Sequence, residues 1–282
     1  MTDEPIGVTG ATGRIGGKVA RLLSDAGVAQ RLIVRDPTRA PTLSGTAVVS
    51  ASYDDQAAAR FAMTGLSVVF MVSGAESAER VAQHRRFIDA AVDAGVEHVV
   101  YLSFFGASPD ATFTLARDHW ATEEYLRSTG LRWTFLRDNL YSDFVTSMVG
   151  DDGVIRGPAG DGRAAMVAQD DIAEAVTAVL RDPSSHEGAT YDLTGPEAIT
   201  LAEAAEVVST VTGRPVTYEP ETLEQAYRSR AHYGAPDWQV DAWVSTYTAI
   251  AAGELERVDP AVVALTGHRA RSLADVLSAV PD

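Results

Sequence analysis

The sequence predicts an α/β fold, a doubly wound parallel sheet with a small, mostly helical C-terminal lobe, and three observations predict it. Between residue 5 and about residue 137, short apolar runs alternate with segments of helical periodicity, as strands joined by crossover helices require. Among those runs Val68-Val69-Phe70-Met71-Val72 is apolar at every position, which suits a strand covered by helices on both faces. Directly behind the first run stands Gly10-Ala11-Thr12-Gly13-Arg14-Ile15-Gly16, a glycine-rich turn that opens a helix.

Taken in order, the strands fall at Ile6–Thr9, Arg31–Val34, Ala47–Ser50, Ser67–Val72, His98–Leu102 and Trp133–Leu136. Helical spacing fills the intervals near 15–25, 55–63, 76–94 and 116–128. After residue 138 the rhythm changes. Gly150–Gly162 is rich in Gly and Asp, contains Pro158 and reads as a loop. Gln169-Asp170-Asp171 offers caps for a helix over 170–181, and Thr190–Leu193 returns as a strand. Helices follow near 200–212, 221–230, 237–252 and 271–279. Val240, Trp243, Val244, Tyr247, Ile250 and Ala251 share one helical face, which reads as core.

The glycine turn has a physical purpose. Gly10 permits a tight turn, Gly13 lets backbone approach a diphosphate, and Gly16 lets the helix pack closely on the strand. The helix N-terminus then presents N–H groups and the positive end of its dipole to phosphates. Gly10, Thr12, Gly13, Arg14, Ile15 and Gly16 are therefore the candidate cradle of a dinucleotide, in a Rossmann domain over residues 1–150. Residues 151–282 form a mixed segment that returns to the sheet and builds the C-terminal substrate lobe. Behind the second strand the chain reads Arg35-Asp36-Pro37-Thr38-Arg39. Guanidinium forks suit phosphate oxygens, so Arg35, Arg39 and Arg14 favour the 2′-phosphate of NADP, while Asp36 keeps NAD open.

Composition excludes several chemistries. The 282 residues carry 23 Lys+Arg against 39 Asp+Glu, a net charge of −16, which disfavours nucleic acid as a partner. Zero cysteines remove thiol nucleophiles, disulfides and Cys-ligated metals. No signal peptide precedes Ile6 and no run approaches a membrane span, so the expectation is cytoplasmic, with no membrane partner. Histidines at 84, 98, 119, 186, 232 and 268 lack zinc-ligand spacing, so no metal is expected. Neither a Gly-x-Ser-x-Gly elbow nor a Gly-Lys-Ser/Thr phosphate loop occurs.

With the glycine turn stand Ile33-Val34-Arg35-Asp36, Val99-Val100-Tyr101-Leu102-Ser103, the helix around Glu123-Glu124-Tyr125-Leu126, and Trp133-Thr134-Phe135-Leu136-Arg137. Gly157-Pro158-Ala159-Gly160-Asp161-Gly162-Arg163 and Tyr191-Asp192-Leu193-Thr194-Gly195 add to the pattern. On these residues the chain resembles the atypical short-chain dehydrogenase/reductases. Within them it resembles the NmrA-like branch, and most of all the NAD(P)H:quinone oxidoreductase type 2 group, over essentially its whole length. The resemblance implies hydride transfer from a nicotinamide cofactor without flavin or metal.

Two departures qualify it. Lys18 is the single lysine and position 14 is arginine, so the superfamily's Tyr-x-x-x-Lys pair exists nowhere in this chain. Alignment with the resemblance sets His119 at the lysine position and Leu115 at the tyrosine position, which makes His119 the candidate proton relay. Ser52 stands where many relatives carry an acid that reads adenine.

Ligands of doubly wound sheets bind beyond the carboxyl ends of the strands. On that rim fall Ser73-Gly74, Ser103-Phe104-Phe105-Gly106 and Arg137-Asp138-Asn139-Leu140-Tyr141. Ser73, Gly74, Ser103, Phe104 and Asn139 are cofactor candidates. The resemblance sets the last segment beside the nicotinamide. Phe105, Tyr141, Tyr233 and Trp238 are candidates for an aromatic slot, with Tyr141 or His119 as proton donor.

The expectation is an NADPH-dependent oxidoreductase that transfers hydride to a quinone or similar flat, small-molecule electron acceptor. Two alternatives stand beside it: a non-catalytic NADP(H)-sensing regulatory protein, and a biosynthetic reductase of an imine, enone or ketone. Oligomeric state is left open.

Overall fold

The computed structural model describes residues 4–279. Met1–Asp3, which entered the reading of the N-terminus, lie outside the described residues, as do the last three positions of the C-terminal lobe. The chain divides into two compact units that interleave in sequence rather than meet at one boundary. Unit 1 comprises Met1–Phe104, Asp118–Arg137 and Ile172–Tyr191; unit 2 comprises Phe105–Arg117, Asp138–Asp171 and Asp192–Asp282.

Unit 1 is built on a seven-stranded sheet. Its strands are β1 (Ile6–Thr9), β2 (Gln30–Val34), β3 (Thr46–Ser50), β4 (Val68–Val72), β5 (His98–Phe104), β6 (Arg132–Asp138) and β9 (Thr190–Leu193). Their order is β3-β2-β1-β4-β5-β6-β9, and β1 pairs in parallel with both β2 and β4. The order therefore reverses between β1 and β4, the switch point at which doubly wound sheets bind ligands. All seven residues of β5 are buried, whereas edge strand β3 exposes most of its residues. Position in the sheet sets this difference, because central strands are covered on both faces.

Helices α1 (Arg14–Asp25), α2 (Gln56–Met63), α3 (Arg80–Ala94), α4 (Thr114–Ser128) and α5 (Gln169–Arg181) supply the covering. Met63, Phe87, Ile88 and Leu126 from the helices pack with Met71, Tyr101 and Phe135 from the sheet. Each fully buried side chain of this size contributes roughly 1.5–3 kcal/mol of transfer free energy. Helix α5 begins at Gln169, so Asp170 and Asp171 occupy its first turn, where the helix dipole favours negative charge. In α3 the helix begins at Arg80, four residues later than the periodicity suggests, because residues 76–79 form bends and turns.

Unit 2 holds more helix than strand. Beside α6 (Leu201–Thr212), α7 (Leu223–Arg230), α8 (Asp237–Ala251), α9 (Ala261–Thr266) and α10 (Leu273–Ser278) it holds two small two-stranded sheets. Capping boxes at Thr200/Glu203, Thr222/Gln225 and Ser272/Asp275 set where α6, α7 and α10 begin. The segment read as a loop, Gly150–Gly162, contains β7 (Val154–Gly157), paired in parallel with β11 (Thr217–Pro220). That strand exists through a partner about sixty residues away, which local composition does not reveal. A second pair joins β8 (Arg163–Ala164) and β10 (Ile199–Thr200) antiparallel. No helix among the described residues is long and apolar enough to cross a membrane.

Candidate dinucleotide and acceptor sites

At the switch point β1 ends and Gly10 turns the chain with φ +66°. A Cβ there would lie 2.9 Å from Cβ of Val72, so this turn and the end of β4 approach as closely as glycine allows. Gly13 donates its N–H to Gly10 O (2.8 Å) and caps α1 in extended conformation with no side chain bonded to the helix start. The first turn of α1 carries no acid. N–H groups with no side-chain cap, at a first turn without an acid, suit a diphosphate. Gly16 has a different role: a Cβ would meet Gly10 O at 2.4 Å, so helix-to-strand contact here is backbone on backbone. Thr12, Gly13 and Arg14 are exposed, and Ile15 and Gly16 are buried.

Arg35 and Arg39 are both exposed beyond the end of β2. Asp36 caps the 3-10 turn Pro37–Arg39, accepting on Oδ1 from Thr38 N (3.0 Å) and Thr38 Oγ1 (2.6 Å). These bonds hold its carboxyl below the usual carboxylate range. The acid that follows Arg35 is thus turned onto its own loop, between two guanidinium-bearing residues.

Beyond β4, Ser73 and Gly74 are half-buried, and the Gly74 peptide is gripped from both sides. Arg80 Nε donates to Gly74 O (3.0 Å), and Gly74 N donates to His84 Nε2 (2.8 Å). Because His84 Nε2 accepts, its proton sits on Nδ1 and goes to Thr122 Oγ1, 2.8 Å away. Thr122 in turn donates to Asp118 O. Burial and the Arg80 charge push the His84 imidazole down to about 3. Sequence reading did not single out Arg80 or His84, although their i, i+4 spacing at the start of a helix directly behind a cofactor-candidate loop was a usable signal.

His119 joins the same network. Its ring is 5% exposed, with Nε2 2.9 Å from Arg80 Nη2 and Nδ1 3.0 Å from Tyr101 Oη. Burial, then the Arg80 charge, holds its pKa well below the ordinary value. Phe104 is buried with its ring 6.1 Å from that of His119. Ser103 is wholly buried and donates to Glu123 Oε1 (2.6 Å). The Glu123 carboxylate is also held by Arg137 (2.8 and 2.6 Å) and Arg127 (3.2 Å). Ser52 is half-buried, and its carbonyl accepts from Asp55 N at the start of α2.

Unit 2 contains a cavity of about 670 Å³. Tyr141, Phe144, Tyr233, Trp243 and Tyr247 form aromatic walls, Leu140, Met148, Met166, Leu201 and Ile250 aliphatic ones, and Arg156 and Arg230 also line it. Tyr141 stands with its ring 5.4 Å from Phe144 and donates its hydroxyl to Asp138 Oδ2 at 2.6 Å. Arg230 lies over the Tyr247 ring, 5.0 Å from its centroid, and pairs with Glu221 at 3.0 Å.

The structure brings Tyr141 and Tyr233 of the expected slot together around this cavity. Phe105 is not among the lining residues: it is 3% exposed, with the Arg257 guanidinium 5.0 Å over its ring. Trp238 is half-buried and also outside the lining. Asn139 is wholly buried, its Nδ2 donating to Leu255 O (3.0 Å) and its Oδ1 accepting from Leu140 N (2.8 Å). The helical stripe read as core is corrected in part. Val244 and Ile250 are core, Ile250 also touching the cavity, but Trp243 and Tyr247 are half-buried along it and Ala251 is exposed, since a helix stripe looks alike whether it meets a neighbour or a void.

A doubly wound sheet with a glycine turn at its switch point defines the class of Rossmann-fold dinucleotide-binding proteins. The chain belongs to the NmrA-like family, which it matches over residues 2–241. It is 32% identical to quinone oxidoreductase 2 of Escherichia coli over 280 residues, 97% of each chain. It is 36% identical to the (4-alkanoyl-5-oxo-2,5-dihydrofuran-3-yl)methyl phosphate reductase of Streptomyces griseus over 278 residues, 95% of each chain. The crystal structure of the E. coli NADPH-dependent quinone oxidoreductase in complex with NADPH matches with a TM-score of 0.88 at 32% identity, covering 97% of this chain and 98% of that one.

Proposed function

We propose that this protein is an NADPH-dependent oxidoreductase that transfers hydride to a quinone or a similarly flat, conjugated electron acceptor. The aromatic cavity of unit 2 carries the reading of the acceptor: tyrosine, phenylalanine and tryptophan faces suit a planar ring system. The glycine turn of unit 1 and the arginines behind β2 support NADPH, with Gly13 and the start of α1 at the diphosphate and Arg35, Arg39 and Arg14 at the 2′-phosphate. Bound NADPH supplies the hydride. The E. coli relative, named a quinone oxidoreductase, supports the same reading.

The protein's own contribution is positioning and a dry slot, not acid catalysis. Both proton donors nominated from sequence have partners within the protein, His119 Nδ1 at Tyr101 and the Tyr141 hydroxyl at Asp138, which supports a source of the proton outside them. We therefore assign the proton that completes a hydroquinone to water.

A second reading has one observation in its favour. The S. griseus relative is named for an enone-bearing substrate, so reduction of a conjugated enone is the competing chemistry. NADPH oxidation followed by loss of nicotinamide absorbance, with panels of quinones, dyes, enones and imines, decides between them. Quinone turnover supports the proposal, and enone turnover with inert quinones selects the second reading. Tight NADP(H) binding without turnover of any acceptor overturns both in favour of a dinucleotide sensor.

A further inference from the structure

The backbone at the end of β4 is held from several directions. Val72 N donates to Thr9 Oγ1 at 2.8 Å, and the Tyr53 hydroxyl donates to Val72 O at 2.6 Å. Two residues on, the Gly74 N–H goes to His84, and the Gly74 carbonyl accepts from Arg80. A Cβ at Gly74 would lie 3.2 Å from His84 Nε2, so glycine is what lets the imidazole reach the backbone. The described residues contain no cis peptide, and in a trans peptide the N–H and the preceding C=O point in opposite directions. The Ser73 C=O is therefore turned away from His84, and the Ala75 N–H away from Arg80. Neither takes a backbone partner among the described residues.

Arg80 takes its place there against three local preferences. It is a cation in the first turn of α3, where the helix dipole disfavours positive charge, and Glu79 in front of it makes no side-chain cap. It is buried, at 5% exposure. It is also loosely matched: Asp118 Oδ2 lies 3.7 Å from Nη1, and Nη1 makes no hydrogen bond among the described residues. A buried charge paired in this way is costly to fold. Sequences break local rules at the places a site requires it. What Arg80 does hold is the Gly74 carbonyl and His119 Nε2.

We propose that Arg80 and His84 are positioning residues for the nicotinamide dinucleotide. From the start of α3 they fix the two peptides that flank Gly74, so that the turn meets the cofactor with the Ser73 C=O and the Ala75 N–H. A ribose hydroxyl, which donates and accepts at once, is the group such a pair recognises. The proposal rests on the oxidoreductase reading above and adds to it two residues that act through the Gly74 backbone. NADPH and NADH share ribose hydroxyls, so Arg80 and His84 bear on both dinucleotides alike, unlike the arginines behind β2.

The test compares Arg80→Gln, His84→Leu and His84→Gln with the unaltered chain. NADPH and NADH affinities are measured by titration, KM and kcat with a quinone acceptor, and amide hydrogen exchange at Gly74 without cofactor. Arg80→Gln and His84→Leu are expected to weaken both dinucleotides about tenfold, the scale of one lost hydrogen bond, and the loss falls in KM for NADPH rather than in kcat. His84→Leu also speeds exchange at Gly74 by about tenfold or more. His84→Gln keeps an acceptor for that N–H and is expected to restore both the affinity and the slow exchange. Unchanged affinity in folded Arg80→Gln and His84→Leu overturns the proposal. Equal loss in His84→Leu and His84→Gln overturns it too, since that marks a purely structural residue. Should the first two variants fold poorly, Gly74→Ala crowds the imidazole without removing a buried group; a several-fold loss is expected, and unchanged affinity overturns the proposal. If the unaltered chain binds neither dinucleotide, the oxidoreductase reading fails, and exchange at Gly74 still judges the grip of α3 on the turn.

Discussion

Arg80 Nη2 lies 2.9 Å from Nε2 of His119, and this contact settles where the imidazole proton resides. A guanidinium has only protons to give, so Nε2 accepts and Nδ1 carries the hydrogen toward Tyr101 Oη. His119 is consequently a neutral, buried strut between α3, α4 and β5. His119→Gln is expected to lower stability by about 2–3 kcal/mol, the range for a broken buried hydrogen-bond network, with kcat within a few-fold of wild type. Chemical denaturation and steady-state kinetics on one preparation check it. Abolished turnover at unchanged stability would restore the role of proton relay.

Gly16→Ala tests the cradle. The added Cβ would lie 2.4 Å from Gly10 O and 2.7 Å from Thr9 O, both backbone atoms that cannot swing aside. Either α1 lifts off the turn or the turn opens. The expected result is a loss of roughly 1–3 kcal/mol of stability together with NADPH binding, read by thermal melts with and without cofactor.

Arg35→Asp tests the reading of the 2′-phosphate. Losing a charge-assisted bond and gaining a like charge is expected to weaken NADPH by about 10- to 100-fold while changing NADH affinity much less. Equal loss for the two dinucleotides would move the 2′-phosphate away from Arg35. Asp36→Ala, which frees Thr38 from its cap, is expected to disturb the loop without reversing the preference.

His84 predicts a pH dependence. Its pKa falls from 6.5 to about 3 in the folded chain, so between those values the unfolded state binds the proton and the native state does not. Stability is therefore fully present above about pH 6.5 and declines on acidification, at up to about 1.4 kcal/mol per pH unit from this one group. His84→Gln keeps an acceptor for Gly74 N–H and removes the titration. Its stability is expected to fall less steeply than wild type between pH 6 and about pH 4. Parallel slopes in denaturation at several pH values would exclude His84 as the source.

Gly157→Ala addresses the cavity alone. A Cβ there would meet the Tyr247 ring at 2.1 Å, forcing the ring off its wall. The expected effect is a several-fold change in KM for the acceptor with NADPH affinity unaltered, since no backbone contact of the glycine turn is touched.

The division between what the chain announced and what folding decided follows from the range of the forces involved. The order of the first six strands, the glycine turn, the arginines behind β2 and the missing tyrosine–lysine pair were legible because periodicity, steric need and residue identity are local properties. The partner of β7 was not, since a four-residue strand in a Gly- and Asp-rich stretch becomes a strand only by meeting Thr217–Pro220. Nor was the fate of individual side chains. His119, Ser103, Asn139 and Phe105 have types that suit a site, yet each is buried with its polar or aromatic face committed inside its unit. Trp243 and Tyr247, read as core, line the cavity. By itself the sequence determined the sheet, the cofactor cradle and the net charge of the chain, all set by neighbouring residues or by composition. Tertiary structure decided which side chains keep a free face, because hydrogen-bond partners and burial come from segments distant along the chain.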